Sequence, residues 1–577
     1  RRPRARCRKR RAQRAATRRP RRPTSAPSNR MWCRLPTGAC LCPSSKLEHK
    51  RRENHSCQLL SFEGWQSVQL HCLIFYKFLP TKNIKETNVN FHFKKLYLSG
   101  LTALASAMLL ATGMAQAQST AQRAVDAAKK MCNGKTITVV WEAGLQSLDP
   151  KNFSGPMWEK LTSCKINVIE VPTAEMFTKI MQEYRAGTGA YDALNVIPSW
   201  MPDLVQAGAL EPLDAMVDKY AYRDELQKIA PTYRDNQMKV NGKIYGFPDD
   251  GDVFIMYYRK DIFADAGLRK DFKAKFNYEL APPTTWKQFS EIGQFLTEKL
   301  KAKGTYGASQ FREPGYGNFM FQERFRNEGG KFFDSNMKAQ INGPAGVKVL
   351  TDWRNENKFM PPGVEKFGFV ENLAVFLKGE SAMTISWPPY GRFAAGYIKD
   401  EAMKWVPESK VAGKVGYALP PGGHPELAAG FALSVTSNSK NKELAYLFIQ
   451  WLNSEEISMQ RVQLPYTLRD PFRDSHFTSK EYMAKWPDAK DYLAALQAGS
   501  KTGLLDLSLI QTDKYEEALR QGISRLWAGE DPKKILDDVA KSWNETTQKV
   551  GVDKQKAVYK QAVPYYEKAY ELNKNEM

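Results

Sequence analysis

Three short apolar runs, residues 136–141, 166–171 and 191–197, are separated by segments with apolar residues at helical spacing, and this alternation narrows the possible folds more than any other feature. Strand-helix alternation points to an α/β protein with a parallel, doubly wound sheet. Between the second and third runs, Thr173 reads as a cap, and Met176, Phe177, Ile180, Met181 and Tyr184 form one apolar helix face closed by Gly187 and Gly189. That face belongs to a core. Open α/β sheets bind ligands at the carboxyl ends of their strands, which makes Trp141, Glu142 and Trp200 candidate contacts.

Residues 240–263 join a turn, an acidic kink and a buried strand without interruption. Asn241-Gly242 is a strong hairpin signal, because a type I′ turn needs positive φ at both central positions. Pro248, Asp249, Asp250, Gly251 and Asp252 read as the kink, and residues 253–258 as a strand buried on both faces. Such a stretch suits a crossing between two lobes, with its acids at the cleft.

Further along, Thr285 caps a helix over 286–300, residues 306–309 resume strand character, and the stretch from Glu313 to Phe319 reads as a Gly-rich loop ahead of a short helix. No Gly-Lys-Ser/Thr follows it, so it is not a phosphate loop. A strand over 381–386 delivers Trp387, Tyr390 and Arg392. Strands are expected at 415–420 and 428–435 and a helix at 440–452; residues beyond 482 are mostly helical, with Asp531-Pro532 as an N-cap and first helical position.

A net charge of +23 suggests a nucleic-acid partner only until it is located along the chain. Residues 1–117 hold 24 of the 85 Lys and Arg but only 4 of the 62 Asp and Glu, so the remainder is close to neutral. Residues 1–88 read as a disordered or non-native leader, and no nucleic-acid partner is expected of the rest. Residues 89–117 have the three parts of a secretory signal peptide: Lys94-Lys95, an apolar run over 96–112, and Ala115-Gln116-Ala117. Cleavage before Gln118 leaves Cys132 and Cys164, each just ahead of an apolar run. A disulfide between neighbouring strand starts is favoured over two buried thiols and fits an oxidising compartment.

Among motifs for chemistry, absence is informative. The chain beyond residue 117 has two histidines, His424 and His476, and lacks His-Glu-x-x-His, Gly-x-Ser-x-Gly, P-loop and dinucleotide signatures, so neither an enzyme, a cofactor nor a metal is expected. A carboxylate pair drawn from Glu142 and Asp249, Asp250 or Asp252 leaves glycoside hydrolysis as an alternative. Aromatic residues at loops are plentiful: Trp141, Trp200, Tyr316, Trp387, Tyr390 and Tyr466. Such platforms stack on the apolar faces of sugars while carboxylates and Arg hold the hydroxyls.

Several ordered motifs carry a family resemblance: Asp203-Leu-x-x-x-Gly-x-Leu-x-Pro-Leu-Asp214, Gly242-Lys-x-Tyr-Gly-x-Pro248, Tyr258-Arg-Lys-Asp-x-Phe263, Pro283-x-Thr-Trp-x-x-Phe289, Gly379-x-x-Ala-Met383 with Trp387, and the run from Ser439 to Leu452. Over roughly 134–551 the chain resembles the extracellular solute-binding family 1 of ABC importers, the sugar-type binding proteins. The resemblance implies a two-lobed type II periplasmic-binding fold with hinge crossings and C-terminal helices. Lobe 1 would comprise 118–248 plus 421–472, and lobe 2 would comprise 249–420 plus 473–577. It further implies a monomer in the periplasm that captures a sugar, oligosaccharide or polyol and hands it to an inner-membrane permease. Trp387 takes the place of the family's stacking aromatic, while Glu142, Trp200, Asp249 to Asp252 and the loop bearing Tyr466 and Arg469 fall where ligand contacts occur. A polyamine or ferric-complex binder of the same fold is the runner-up, with Tyr257-Tyr258 or Tyr565-Tyr566 as possible iron ligands.

Overall fold

The computed structural model describes residues 118–144, 146–397, 401–427 and 430–573. The leader and signal-peptide expectations lie outside the described residues, as do Ala428 and Ala429 of one expected strand.

The first sheet is built from β1 (Thr136–Glu142), β2 (Lys165–Val171), β3 (Ala193–Val196), β6 (Phe247–Asp250) and β10 (Phe431–Val435), in the order β2-β1-β3-β10-β6. β1 pairs in parallel with β2 over its whole length, from Thr136 opposite Lys165 to Glu142 opposite Val171, and also with β3. The expectation of a parallel sheet holds for these three strands. It fails at β10, which runs antiparallel to both β3 and β6. A strand that returns from far along the chain is not bound by the direction of a βαβ crossover.

A small hairpin of β4 (Lys239–Val240) and β5 (Lys243–Ile244) turns through Asn241 and Gly242, whose φ values are 51° and 77°, as the type I′ reading requires. The expected acidic kink is placed differently. Pro248, Asp249 and Asp250 continue the sheet as part of β6, at its edge, where a proline costs no ladder hydrogen bond. The crossing proper is Gly251 to Phe254, all buried. A Cβ at Gly251 would stand 2.0 Å from the Pro471 carbonyl oxygen, so only glycine passes.

Beyond the crossing, β7 (Ile255–Arg259) is the middle strand of a second, antiparallel sheet with β8 (Met383–Ser386) and β9 (Val415–Ala418). Residues 306–309 form only isolated bridges to the β8 segment, at Tyr306 and Ser309. Helices cover both sheets. Lys442–Asn453 packs its buried face on the first sheet and on helix Thr120–Cys132. Cys132, at the end of that helix, is joined to Cys164, with Cα atoms 5.4 Å apart.

Three local expectations about helices resolve clearly. Thr285 caps Trp286–Leu300 by accepting from the Gln288 amide. Asp531 does the same for Pro532–Val550, where Ile535, Leu536, Val539 and Trp543 are buried. Thr173, in contrast, is the first residue of helix Thr173–Ala186, with Pro172 at the cap position and no side-chain cap bond. The stretch read as a Gly-rich loop is also helical: Glu313 accepts from the Tyr316 amide, Pro314 takes the first position, and the helix runs to Asn327. The acid-proline pair set the start that the glycines obscured. Among the described residues, no helix is long and apolar enough to cross a membrane.

Candidate functional site

β1 delivers Trp141 and Glu142 at its carboxyl end. Trp141 is 1% exposed and carries the Arg469 guanidinium over its ring, 5.7 Å from the centroid. Glu142 is half-buried and accepts a 3.1 Å hydrogen bond from the Thr173 hydroxyl. Burial raises its carboxyl pKa, and the Thr173 bond and Arg469 oppose that rise. After β3 the chain makes a 3-10 turn, Pro198–Trp200, which sets Trp200 edge-on against Phe177 at 5.7 Å.

On the second sheet, β8 ends one residue before Trp387. That indole sits in a nest of Phe254 (4.8 Å between ring centroids), Phe311 (5.2 Å), Phe319 (5.8 Å) and Tyr316 (5.9 Å). Tyr316 is the open member, at 39% exposure. Its phenol is raised by burial, and the charge of Glu142 acts in the same direction. Tyr390 stands behind the nest: it is buried and donates to the Phe369 carbonyl at 2.6 Å.

The acids of the crossing are locked into a buried ion network. Asp249 receives Arg461 at 2.7 Å, Arg469 at 3.0 Å and Asn195 at 2.9 Å. Asp250 accepts from Gln146 and from the Asp470 amide, both at 2.8 Å, and Asp252 accepts from the Gly430 amide at 3.2 Å. Asp470 pairs with Arg392 at 2.8 Å, and Arg392 also donates to the Thr467 and Arg469 carbonyls and to the Tyr482 hydroxyl. Arg392 is fully buried. Tyr466 lies on the same loop, partly buried.

One oxygen from each of Asp250, Asp252 and Asp470 falls within 4.8 Å of the others, a spacing compatible with a cation. Here Arg392 already supplies positive charge. Burial, followed by the charge of Asp470, pushes Asp250 up to about 8, and burial, followed by the charge of Asp250, raises Asp252 as well.

Tyr257 donates to the Trp387 carbonyl at 2.8 Å, whereas Tyr258 packs on Phe263 on the opposite face. The pair does not converge on a shared iron site. Tyr565 and Tyr566 lie outside the residues whose side chains are described.

Sequence reasoning missed one wall of this region. The segment from Leu504 to Thr512 meets both sheets' surroundings: the Leu507 amide donates to Gln322, and Ser508 and Thr512 donate to the Ser199 carbonyl. Nothing in its composition signals this, because the contacts join residues hundreds of positions apart.

The family model for bacterial extracellular solute-binding proteins matches residues 111–459. A mannitol-binding protein of Pseudomonas aeruginosa is 29% identical over 255 residues, covering 43% of this chain and about half (52%) of that relative. An erythritol/L-threitol-binding protein of Mycolicibacterium smegmatis is 23% identical over 411 residues, covering 66% of this chain and 80% of its own length. Among solved structures, a ribitol-bound solute-binding protein of Agrobacterium radiobacter superposes with a TM-score of 0.59 at 21% identity, covering 72% of this chain and 99% of its own. Maltose-bound MalE3 of T. maritima gives 0.58 at 21% identity, covering 71% and 100%. These likenesses give the two-lobed periplasmic-binding fold, with the two sheets described above as its frames. The chain belongs to the bacterial extracellular solute-binding protein family, the substrate-binding components of ABC transporters.

Proposed function

We propose that the protein is the periplasmic binding component of an ABC importer, that it takes up a sugar or polyol between its lobes, and that it passes this solute to an inner-membrane permease. Membership of an extracellular family places its work outside the cytoplasm; the signal peptide, the periplasm, the permease and the monomeric state are part of the proposal. So are the lobe limits, 118–248 with 421–472 and 249–420 with 473–577.

One observation carries this reading best. Trp387, just after β8, sits among aromatic rings with the partly open Tyr316 at their edge, and Glu142 stands half-buried at the carboxyl end of β1. That pairing suits a solute with hydroxyls on one side and C–H groups on the other. Glu142, Trp200, Tyr316 and Trp387 are the proposed contacts. Trp141, Tyr390, Arg392, Arg469 and the acids 249, 250 and 252 act from behind by holding the walls and the crossing in place.

The protein is proposed to bind without catalysis, since Asp249 is committed to two arginines. Thermal unfolding across a panel of sugars and polyols is expected to show stabilisation by a few of them through mass action, with the solute recovered unchanged. Steady release of reducing sugar from a glycoside would overturn this reading.

A further inference from the structure

Asp203 and Asp214, which begin and end one of the ordered sequence motifs, each hold a backbone amide from elsewhere in the chain. Asp214 accepts from the Ile244 amide at 3.0 Å, and the Leu213 amide donates to the Ile244 carbonyl at 2.8 Å, so the β4–β5 hairpin is pinned at its return strand. Asp203 accepts from the Gln511 amide at 2.8 Å. At the hairpin turn, the Asn241 amide donates to the Gln561 side-chain carbonyl at 3.2 Å, and the Gln561 carboxamide donates back to the Asn241 side chain at 2.7 Å. Two residues of the C-terminal arm, Gln511 and Gln561, thus bond to elements that precede the crossing.

The arm itself is seated on the other side. The Leu507 amide donates to Gln322 at 2.9 Å, and Arg326 donates to the Leu505 carbonyl at 2.7 Å. Trp543 and Tyr559 both pack on Phe333, each with ring centroids 5.4 Å away, and Trp527 stacks on Trp353 at 6.2 Å. Gln555 donates to the Ile510 carbonyl at 2.7 Å and accepts from its amide at 3.0 Å, which joins segment 504–512 to helix Val552–Asn573.

The arm is rooted beside the crossing. The Leu504 amide donates to the Pro425 carbonyl at 2.9 Å, its carbonyl accepts from the Leu427 amide at 2.8 Å, and between them the Glu426 carbonyl accepts from the Phe254 amide at 2.9 Å. The bonds to Asp203 and Asn241 lie off this root, so a turn of one sheet against the other about residues 251–254 must stretch them. Asn241 and Gln561 are exposed, whereas Trp543 is buried. Hydrogen-bonding groups that find water on separation lose little net free energy, so this pair parts more readily than the aromatic seam.

Resting on the two-lobed reading above, we propose that the C-terminal arm is a strap between the lobes, and that the Asn241–Gln561 and Asp203–Gln511 bonds form when the cleft closes and break when it opens. Gln561 then helps set how far the unoccupied protein stands open. Since only the closed form holds solute on both sides, the same residue sets part of the affinity without touching the solute.

Spin labels at Thr178→Cys and Lys303→Cys, exposed positions on opposite sides of the crossing, test this through electron-resonance distance distributions. They are measured without solute in the otherwise unchanged protein, in Gln561→Ala, in Asn241→Gly and in the double variant. Asn241→Gly keeps the positive-φ turn and removes one of the two bonds. Gln561→Ala should shift the distribution to longer distances, Asn241→Gly should shift it less, and the double variant should match Gln561→Ala, as expected of coupled partners. Titration with D-mannitol and ribitol should show whichever of them the parent binds held about two- to ten-fold more weakly by Gln561→Ala. The melting temperature without solute should change little, because Gln561 is exposed. Distance distributions identical in all four proteins would overturn the strap, as would a large fall in melting temperature with no change in distance. Binding of neither solute by the parent would count against the polyol reading, while the distances still decide the strap.

Discussion

Arg461 holds Asp249 through a 2.7 Å bond to one carboxylate oxygen, and the same guanidinium holds Asp149 at 2.7 Å, all three side chains being buried. Breaking a buried ion pair by removing one partner leaves an uncompensated charge. Arg461→Met is therefore expected to cost about 3–5 kcal/mol, read from urea denaturation. A loss under 1 kcal/mol would mean that the network is not needed for the fold.

Gly251 is the only residue type that fits beside Pro471. Gly251→Ala places a methyl group against a backbone carbonyl that cannot swing aside, an overpacking expected to cost at least about 1–3 kcal/mol. Thermal unfolding would show it as a lower midpoint, and solute affinity in the folded fraction should change too, because the crossing joins the two sheets.

Tyr316 separates recognition from stability. Its ring is partly open, so Tyr316→Ala should change the unliganded melting temperature little. Solute affinity should fall about five- to ten-fold, the worth of one aromatic contact of about 1 kcal/mol or slightly more. Isothermal titration measures it; unchanged affinity would move the platform elsewhere.

Asp250 makes stability depend on pH in a defined direction. Its folded pKa, about 8, lies above that of an unfolded aspartate, so the folded state binds the proton more tightly. The stabilisation is complete below the unfolded value near pH 4 and is lost as pH rises through about 8. Asp250→Asn should flatten the fall in stability between these limits relative to the parent protein. Parallel pH profiles for the two would count against this assignment.

The Cys132–Cys164 bond closes a loop with a sequence separation of 32. On the chain-entropy model, replacing both cysteines by Ser should cost about 3–4 kcal/mol. Unfolding of the parent with and without reductant should reproduce that difference.

Much of the frame was legible because its signals are local. Apolar runs marked β1, β2 and β3, Asn241-Gly242 marked the hairpin, and Thr285 and Asp531 marked helix starts. The acids 249, 250 and 252 were harder to place. They read as acids lining a cleft, yet they are buried in an ion network, because Arg461, Arg469 and Asp470 arrive more than 200 residues later to meet them. Helix Pro314–Asn327 misled for a related reason: it is buried nearly all round, Asn318, Gln322 and Glu323 alongside Met320, Phe321 and Phe325, so no apolar period announces a covered side. Long-range pairing of this kind leaves no trace in spacing.

The position of β10 sets the order in which the molecule can be completed. This strand lies between β3 and β6, so the first sheet stays in two pieces until residue 435 has left the ribosome. By then the whole crossing and all strands of the second sheet have been synthesised. Such late closure gives the first lobe a high contact order and slows its folding. During that interval the facing sides of β3 and β6 are unpaired edges, the surfaces on which self-association competes with folding.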